Sequence, residues 1–223
     1  MGHPVESPTS LLRLRGQAGA GRVGMVELFF DLVFVFAITQ LSHALLGDLG
    51  ARSALQVGLL LLGVWWVWIY TSWVTNWLDP ERLPVRLALF VLMLAGLVMS
   101  ASIPKAFADQ GPAFAASYVF MQIGRTSFVL WAVRGERVSM LRNFQRILVW
   151  LSLAAVFWIA GALAEGNTRL GLWAAALAIE FISPALYFRV PGMGRSTLAD
   201  WDVDGAHMAE RCALFVIIAL GES

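Results

Sequence analysis

The chain has 223 residues, 59% of them hydrophobic and 14% charged, with a formal net charge of +1 and a mean hydropathy of +0.71. Soluble globular domains carry about a quarter charged residues, so this composition excludes one, and sixteen Lys and Arg spread along the chain against fifteen acids leave no basic face for nucleic acid. One cysteine, Cys212, can neither close an intrachain disulfide nor provide a thiolate pair to a metal.

A spanning helix needs about 20 mostly apolar residues. In chain order, the runs from Met25 to Leu46, Ser53 to Leu78, Pro84 to Ile103, Ala113 to Val133, Gln145 to Ala164 and Arg169 to Phe188 meet that requirement. β-Barrel alternation is absent, so helices are the reading that leaves no backbone group unpaired in lipid. A seventh helix opens near Ala209, and its run to Ser223 would be about 22 Å long, short of the hydrocarbon thickness of about 30 Å. We read it as a helix cut short. The expected fold is all-α: a polytopic transmembrane bundle of six complete helices and the start of a seventh. The chain divides into a cytoplasmic basic tail (1–24), the bundle (25–189), a cytoplasmic acidic loop (190–208) and the opening of the seventh helix (209–223). The tail precedes an apolar run too long for a signal peptide, which implies a retained first helix.

Basic residues alternate between the loops. The tail holds Arg13, Arg15 and Arg22, the second loop Arg82 and Arg86, the fourth Arg134, Arg137, Arg142 and Arg146, and the sixth Arg189 and Arg195. Eleven on that side stand against Arg52, Lys105 and Arg169 on the other, which places the N-terminus in the cytoplasm.

Ionisable groups at bilayer depth are costly, so each is a candidate for function. In the first helix Glu27 and Asp31 share one face, and Gln40 and His43 follow near the far end, a stripe able to line a wet path. The alternative is that the two acids sit at the interface beside a positive helix N-terminus, with His43 a capping or interfacial residue. In the fourth helix Gln122 and Arg125 are three apart, with Arg125 about 18 Å in, and Glu180 of the sixth helix lies about 16 Å in from the same side. A buried Arg125–Glu180 pair is expected, serving either a hydrated path or helix register alone. Pro184 removes the bond to the Glu180 carbonyl and so predicts a kink with two oxygen acceptors at one level.

His207, Glu210 and Arg211 occupy one turn at the mouth of the seventh helix, with Glu222 about 18 Å further in. Because the first and seventh helices enter from the same face, Glu27, Asp31, His207 and Glu210 could meet there, a donor set that would suit a divalent metal without requiring one. The run Asp200–Gly205 imitates the start of an EF loop but has Arg211 where the twelfth-position glutamate belongs, so a solvated acidic loop is the expectation. Trp65, Trp66, Trp68, Trp73 and Trp77 are read as packing and interfacial anchors. Gly96 and Ser100 give the third helix the small-residue spacing of close helix approach. Phosphate-loop, HExxH, GxSxG and CxxC motifs are absent, which leaves intramembrane proteolysis and nucleotide-driven pumping without support in this stretch.

The run Val26-Glu27-Leu28-Phe29-Phe30-Asp31 through Gln40-Leu41, with His43, resembles the opening signature of the bacterial low temperature requirement A (LtrA) family. His207-Met208-Ala209-Glu210-Arg211-Cys212-Ala213-Leu214-Phe215 through Gly221-Glu222-Ser223 is similar to that family's internal block, with Cys212 where an aromatic is common. The resemblance implies an integral protein of the bacterial inner membrane, linked by name to growth in the cold, and a chain that continues past residue 223. The first helix also resembles, more weakly, that of the potassium channels of lysosomes and bacteria built from six-helix repeats.

Three functions are compatible with these residues. A transporter or channel for a small solute or cation would line its path with Glu27, Asp31, Gln40, His43, Gln122, Arg125, Glu180 and Glu222. A membrane scaffold or cold-stress factor would use the same groups to fix helix contacts. A membrane-embedded enzyme would hold a metal at the clustered acids. No cofactor is expected; the expected partners are the lipid bilayer and a small solute or cation, with a homo-oligomer left open.

Overall fold

The computed structural model describes residues 11–13, 23–135, 138–197 and 203–221. Their regular structure is helical: α1 (Met25–Gly47), α2 (Ala51–Trp77), α3 (Leu83–Ser102), α4 (Gly111–Ala132), α5 (Val138–Leu163), α6 (Gly166–Ala185) and α7 (Gly205–Gly221), with a 3-10 turn at Ile103–Lys105. The expected all-α bundle is what forms. Four of these segments, Met25–Gly47, Ala51–Trp77, Leu83–Lys105 and Val138–Leu163, are long and apolar enough to cross a membrane by length and composition. The apolar runs of the sequence predict six. Gln122 and Arg125 lower the mean hydropathy of α4, and Arg169 and Glu180 that of α6, so these two depend on the bundle to shelter their polar groups.

Local chemistry sets the boundaries. Pro84 and Pro112 stand in the first turns of α3 and α4, where a missing N–H leaves nothing unpaired. Pro184 falls in the last turn of α6, and the chain then turns away through Tyr187 and Phe188 at φ of 52° and 48°. The expected helix to Phe188 therefore stops at Ala185, and the proline ends α6 rather than kinking its middle. At the start of α7 the Asp204 carboxylate accepts from the backbone N–H groups of Ala206 and His207 at 3.0 and 3.3 Å, an N-cap. Asp204 is thus a helix cap, while Asp200, Trp201 and Asp202 of the same loop lie outside the described residues.

Successive helices alternate in direction, and α2 is the inner member. It touches α1, α4, α6 and α7, while α1–α3, α3–α4, α4–α5, α5–α6 and α1–α7 pack around it. A Cβ added at Gly96 would lie 3.0 Å from Val33 Cγ1 and 3.7 Å from Phe34 and Met121. That glycine lets α3 approach α1 and α4 closely, as its spacing with Ser100 predicts. Aromatic rings fill the wider gaps: Trp66 stacks on Phe181 at 4.0 Å to join α2 to α6, and Trp158 lies between Tyr118 and Trp173.

The polarity of the bundle is inverted relative to a water-soluble protein. Glu27, Asp31, Arg125, Glu180 and Arg211 are at most 2% exposed, whereas Leu94, Val156 and Ile217 are 64–65% exposed. Outward apolar side chains over a charged interior are what hydrocarbon solvent selects.

Candidate functional site

Two buried polar clusters flank α2. The first lies where α1, α2 and α7 meet. Glu27, in the first turn of α1, accepts from the Gly24 N–H at 2.9 Å, from Arg211 Nη1 at 3.3 Å, and faces His207 Nε2 at 3.2–3.3 Å. One turn on, Asp31 takes Arg211 Nε and Nη2 at 2.9–3.2 Å and the Trp68 indole N–H at 2.7 Å. Arg211 also donates to the Thr75 hydroxyl and lies 5.7 Å from the Phe30 ring centre. Its guanidinium sits between two carboxylates, with all three nitrogens bonded to them, as a buried ion pair requires.

The cluster is closed from the side by two further elements. Asn76 bonds the backbone of Asp204 in both directions, at 2.8 and 3.0 Å, and lies 3.2 Å from His207 Nδ1. Residues 11–13 run beside the end of α2, through Arg13 N–H to the Trp77 carbonyl and Asp79 N–H to the Leu11 carbonyl. This brings Arg13 Nη1 within 2.9 Å of His207 and 3.7 Å of Glu27.

The second cluster lies between α2, α4, α5 and α6. Glu180 receives Tyr118 O–H at 2.8 Å, Gln122 Nε2 at 2.6 Å and the Trp158 indole N–H at 2.9 Å, three donors that complement an acceptor-only carboxylate. Arg125 donates to the Gln122 amide oxygen, and on its other side to the Val67 carbonyl at 3.2 Å and the Thr71 hydroxyl at 3.1 Å. The expected direct Arg125–Glu180 pair does not form: among the described residues the two charges are joined through the Gln122 amide. The physical reason is that Gln122, about one turn earlier on α4, reaches Glu180 while Arg125 is turned to Val67 and Thr71 of α2, so equal depth does not bring the two charges together. The carbonyl of Glu180 left free by Pro184 is taken by the Ser183 hydroxyl at 2.8 Å, which removes it as an open acceptor.

Of the other expected residues, Gln40 is half-buried, and His43 and Glu210 are exposed, apart from both clusters; Glu222 lies outside the described residues. Glu27, Asp31 and His207 gather at one face without Glu210, the fourth residue expected there, and Arg211 occupies the place between the carboxylates that a cation would take. Among the described residues no group of three His, Cys, Asp or Glu is arranged to hold a metal. The sequence reading missed Arg13, Trp68, Thr71, Thr75, Asn76, Tyr118 and Trp158. The visible signal was the run of Thr71, Ser72, Thr75 and Asn76, spaced by helical turns at the end of an otherwise apolar α2.

An inverted bundle with paired charges in its interior defines a multi-pass helical membrane protein. The sequence matches the family described as bacterial low temperature requirement A protein (LtrA) over residues 22–223, and the chain belongs to that family. It is 44% identical over 222 residues to an uncharacterized protein of Rhizobium meliloti (strain 1021), covering all of this chain and 54% of that relative. The chain therefore spans about half the length of the curated relative it matches. No solved structure matches it. The two stretches that carry the family resemblance are α1 and α7, and they pack on one another through Glu27, Asp31, His207 and Arg211.

Proposed function

We propose that the protein moves a small cation or solute across the bacterial inner membrane, with its N-terminus in the cytoplasm. The observation that carries this reading is the line of buried polar groups from His207, through Glu27, Arg211 and Asp31, along Thr75, Ser72 and Thr71, to Arg125, Gln122 and Glu180. Holding helices together needs no such set, since small residues and aromatic packing already do so at Gly96 and Trp158. Charged groups facing a bundle interior are the usual means of passing ions or protons. The orientation rests on the eleven basic residues of one side against three on the other.

The test is a flux assay on the full-length protein in liposomes, with imposed proton, potassium and sodium gradients and dye readout. Transport should appear for one of these ions, and Glu180→Gln and Asp31→Asn should abolish it at unchanged protein yield. Absence of flux for all three, or full flux in both variants, overturns the reading.

A second reading, a membrane scaffold with a role in cold stress, draws on the complete pairing of Glu27 and Asp31 with Arg211. Under it no flux is seen, and exchanging the charges of Asp31 and Arg211 restores the yield lost by either single change.

A further inference from the structure

Where α6 ends, a cavity of about 510 Å³ opens at the bundle surface, lined by Ala185, Leu186, Tyr187, Arg189, Gly194 and Arg195. A smaller one beside it, of about 250 Å³, shares Tyr187 and Arg195. Both arginines are exposed. Among the described residues neither guanidinium has a hydrogen-bond or ion-pair partner, and no carboxylate lines either cavity. Each guanidinium brings five donors and no acceptor, so two unanswered positive charges face one recess.

The loop that presents them is firmly held. It leaves α6 through Tyr187 and Phe188, both at positive φ, a backbone state that costs a non-glycine residue free energy and persists only where its surroundings fix it. Phe188 is buried while Tyr187 stays half exposed, and the Ser196 N–H closes the loop on the Tyr187 carbonyl at 2.8 Å. From the side, α5 grips the same loop. Arg146 donates to the Met193 carbonyl at 2.6 and 2.9 Å, the Trp150 indole to the Arg189 carbonyl at 3.2 Å, and the Ser196 hydroxyl donates to the Asn143 side chain. Basic residues that only orient a chain in the membrane need no such attachment. Groups fixed before a ligand arrives lose little freedom on binding it.

What complements two unpaired guanidiniums is a phosphate, whose oxygens accept paired bonds from arginine. The recess also runs onto the lipid-facing surface: Leu186 is part of its wall, and Leu186 and Ile182, one turn apart, are 49% and 50% exposed. A phosphate carried by a lipid covers this apolar wall with its acyl chain, whereas a phosphate in solution leaves it wet. With no carboxylate to receive an ammonium group, the recess favours an anionic headgroup over a zwitterionic one.

We propose that the recess after α6 binds an anionic phospholipid, its phosphate held by Arg189 and Arg195 and one acyl chain lying along Leu186 and Ile182.

The experiment uses the full-length protein in a non-ionic detergent, titrated with equal amounts of phosphatidylglycerol and phosphatidylethanolamine, with bound lipid counted by native mass spectrometry. Phosphatidylglycerol should be retained in preference. Arg189→Gln and Arg195→Gln should each weaken the tightest phosphatidylglycerol site about tenfold, within what one charge-assisted hydrogen bond supplies. Arg134→Gln, an exposed arginine at the same end of the bundle, should leave that site unchanged. Equal retention of the two lipids by the unaltered protein overturns the proposal without reference to any variant. So does undiminished binding when Arg189 and Arg195 are both replaced, or an equal loss in Arg134→Gln. Inorganic phosphate and glycerol 3-phosphate at millimolar concentration should not displace the lipid; displacement by either assigns the two arginines to a free phosphate and overturns the lipid assignment. The readout is lipid retention and not flux, so its failure is separate from failure of the transport reading.

Discussion

Thr71 and Thr75, one helical turn apart on α2, each accept a hydrogen bond from a different buried arginine: Thr71 from Arg125 of α4 at 3.1 Å, Thr75 from Arg211 of α7. Each hydroxyl spends its own proton on the α2 backbone, Thr71 on Val67 and Thr75 on Ser72. The inner helix thus joins two charge clusters that would otherwise be independent. Changing Thr71 and Thr75 together to Val removes both acceptors at nearly constant volume. The double variant should lose more stability than the sum of the single changes, by about 0.5–1 kcal/mol, measured as a double-mutant cycle in detergent.

Arg211 bonds two carboxylates at once. Arg211→Ala leaves Glu27 and Asp31 buried without a guanidinium and should cost about 3–5 kcal/mol, seen as lost yield and a lower unfolding temperature. Adding Glu27→Gln and Asp31→Asn to that variant should recover part of the loss, because the uncompensated charges are then gone. No recovery would mean that packing of α7, and not charge, sets the cost.

Gln122 lies between Arg125 and Glu180, accepting from the first and donating to the second. Gln122→Leu strands a donor and an acceptor together and should destabilise the protein by about 1–3 kcal/mol. Gln122→Glu keeps the acceptor for Arg125 but sets a carboxylate against Glu180, and thermal unfolding should show it to be the worse of the two.

Gly161 faces Trp173 so closely that an added Cβ would fall 2.4 Å from the indole Cδ1. Gly161→Ala should shift Trp173, break its 3.0 Å indole bond to the Trp158 carbonyl, and lower stability by about 1–3 kcal/mol. Gly171, where a Cβ meets nothing within 4 Å, is the control: Gly171→Ala should be neutral or mildly stabilising through helix propensity.

Asp204 caps α7, and Asn76 holds it from α2. Asp204→Ala should cost about 1 kcal/mol and, in hydrogen exchange, raise the rate at Ala206–Arg211 while leaving α3 unchanged. Equal protection in both proteins would show that the Asn76 contacts alone fix the start of α7.

Much of the fold was legible because lipid leaves the backbone few choices: each apolar run had to be a helix, and six of seven were placed within a few residues at their starts, except for α5, which begins seven residues earlier than Gln145. The gathering of Glu27, Asp31 and His207 followed from direction alone, since α1 and α7 start on the same face. Arg125 and Glu180 illustrate the limit. A rise per residue gives depth, but not the angle at which a side chain leaves its helix, nor which neighbouring side chain reaches the partner first. Trp68 and Trp158 were hidden for a different reason: an indole reads as packing until an acceptor is placed against its N–H, and that acceptor comes from another helix. Arg13 was hidden because a basic tail carries no periodicity from which a contact can be inferred.

At the opposite end of the bundle, Arg169 is 4% exposed and among the described residues has no carboxylate beside it. It donates instead to the backbone oxygens of Gly161, Ala164, Ala106 and Ala108, at 2.6–3.2 Å, and packs over Trp173. Peptide oxygens do not titrate in water, and ions in solution do not compete for a cation enclosed by them. The α5–α6 hairpin and the turn after α3 are therefore fastened by a rivet indifferent to acidity and salt, so that whatever medium bathes that end can change without loosening it.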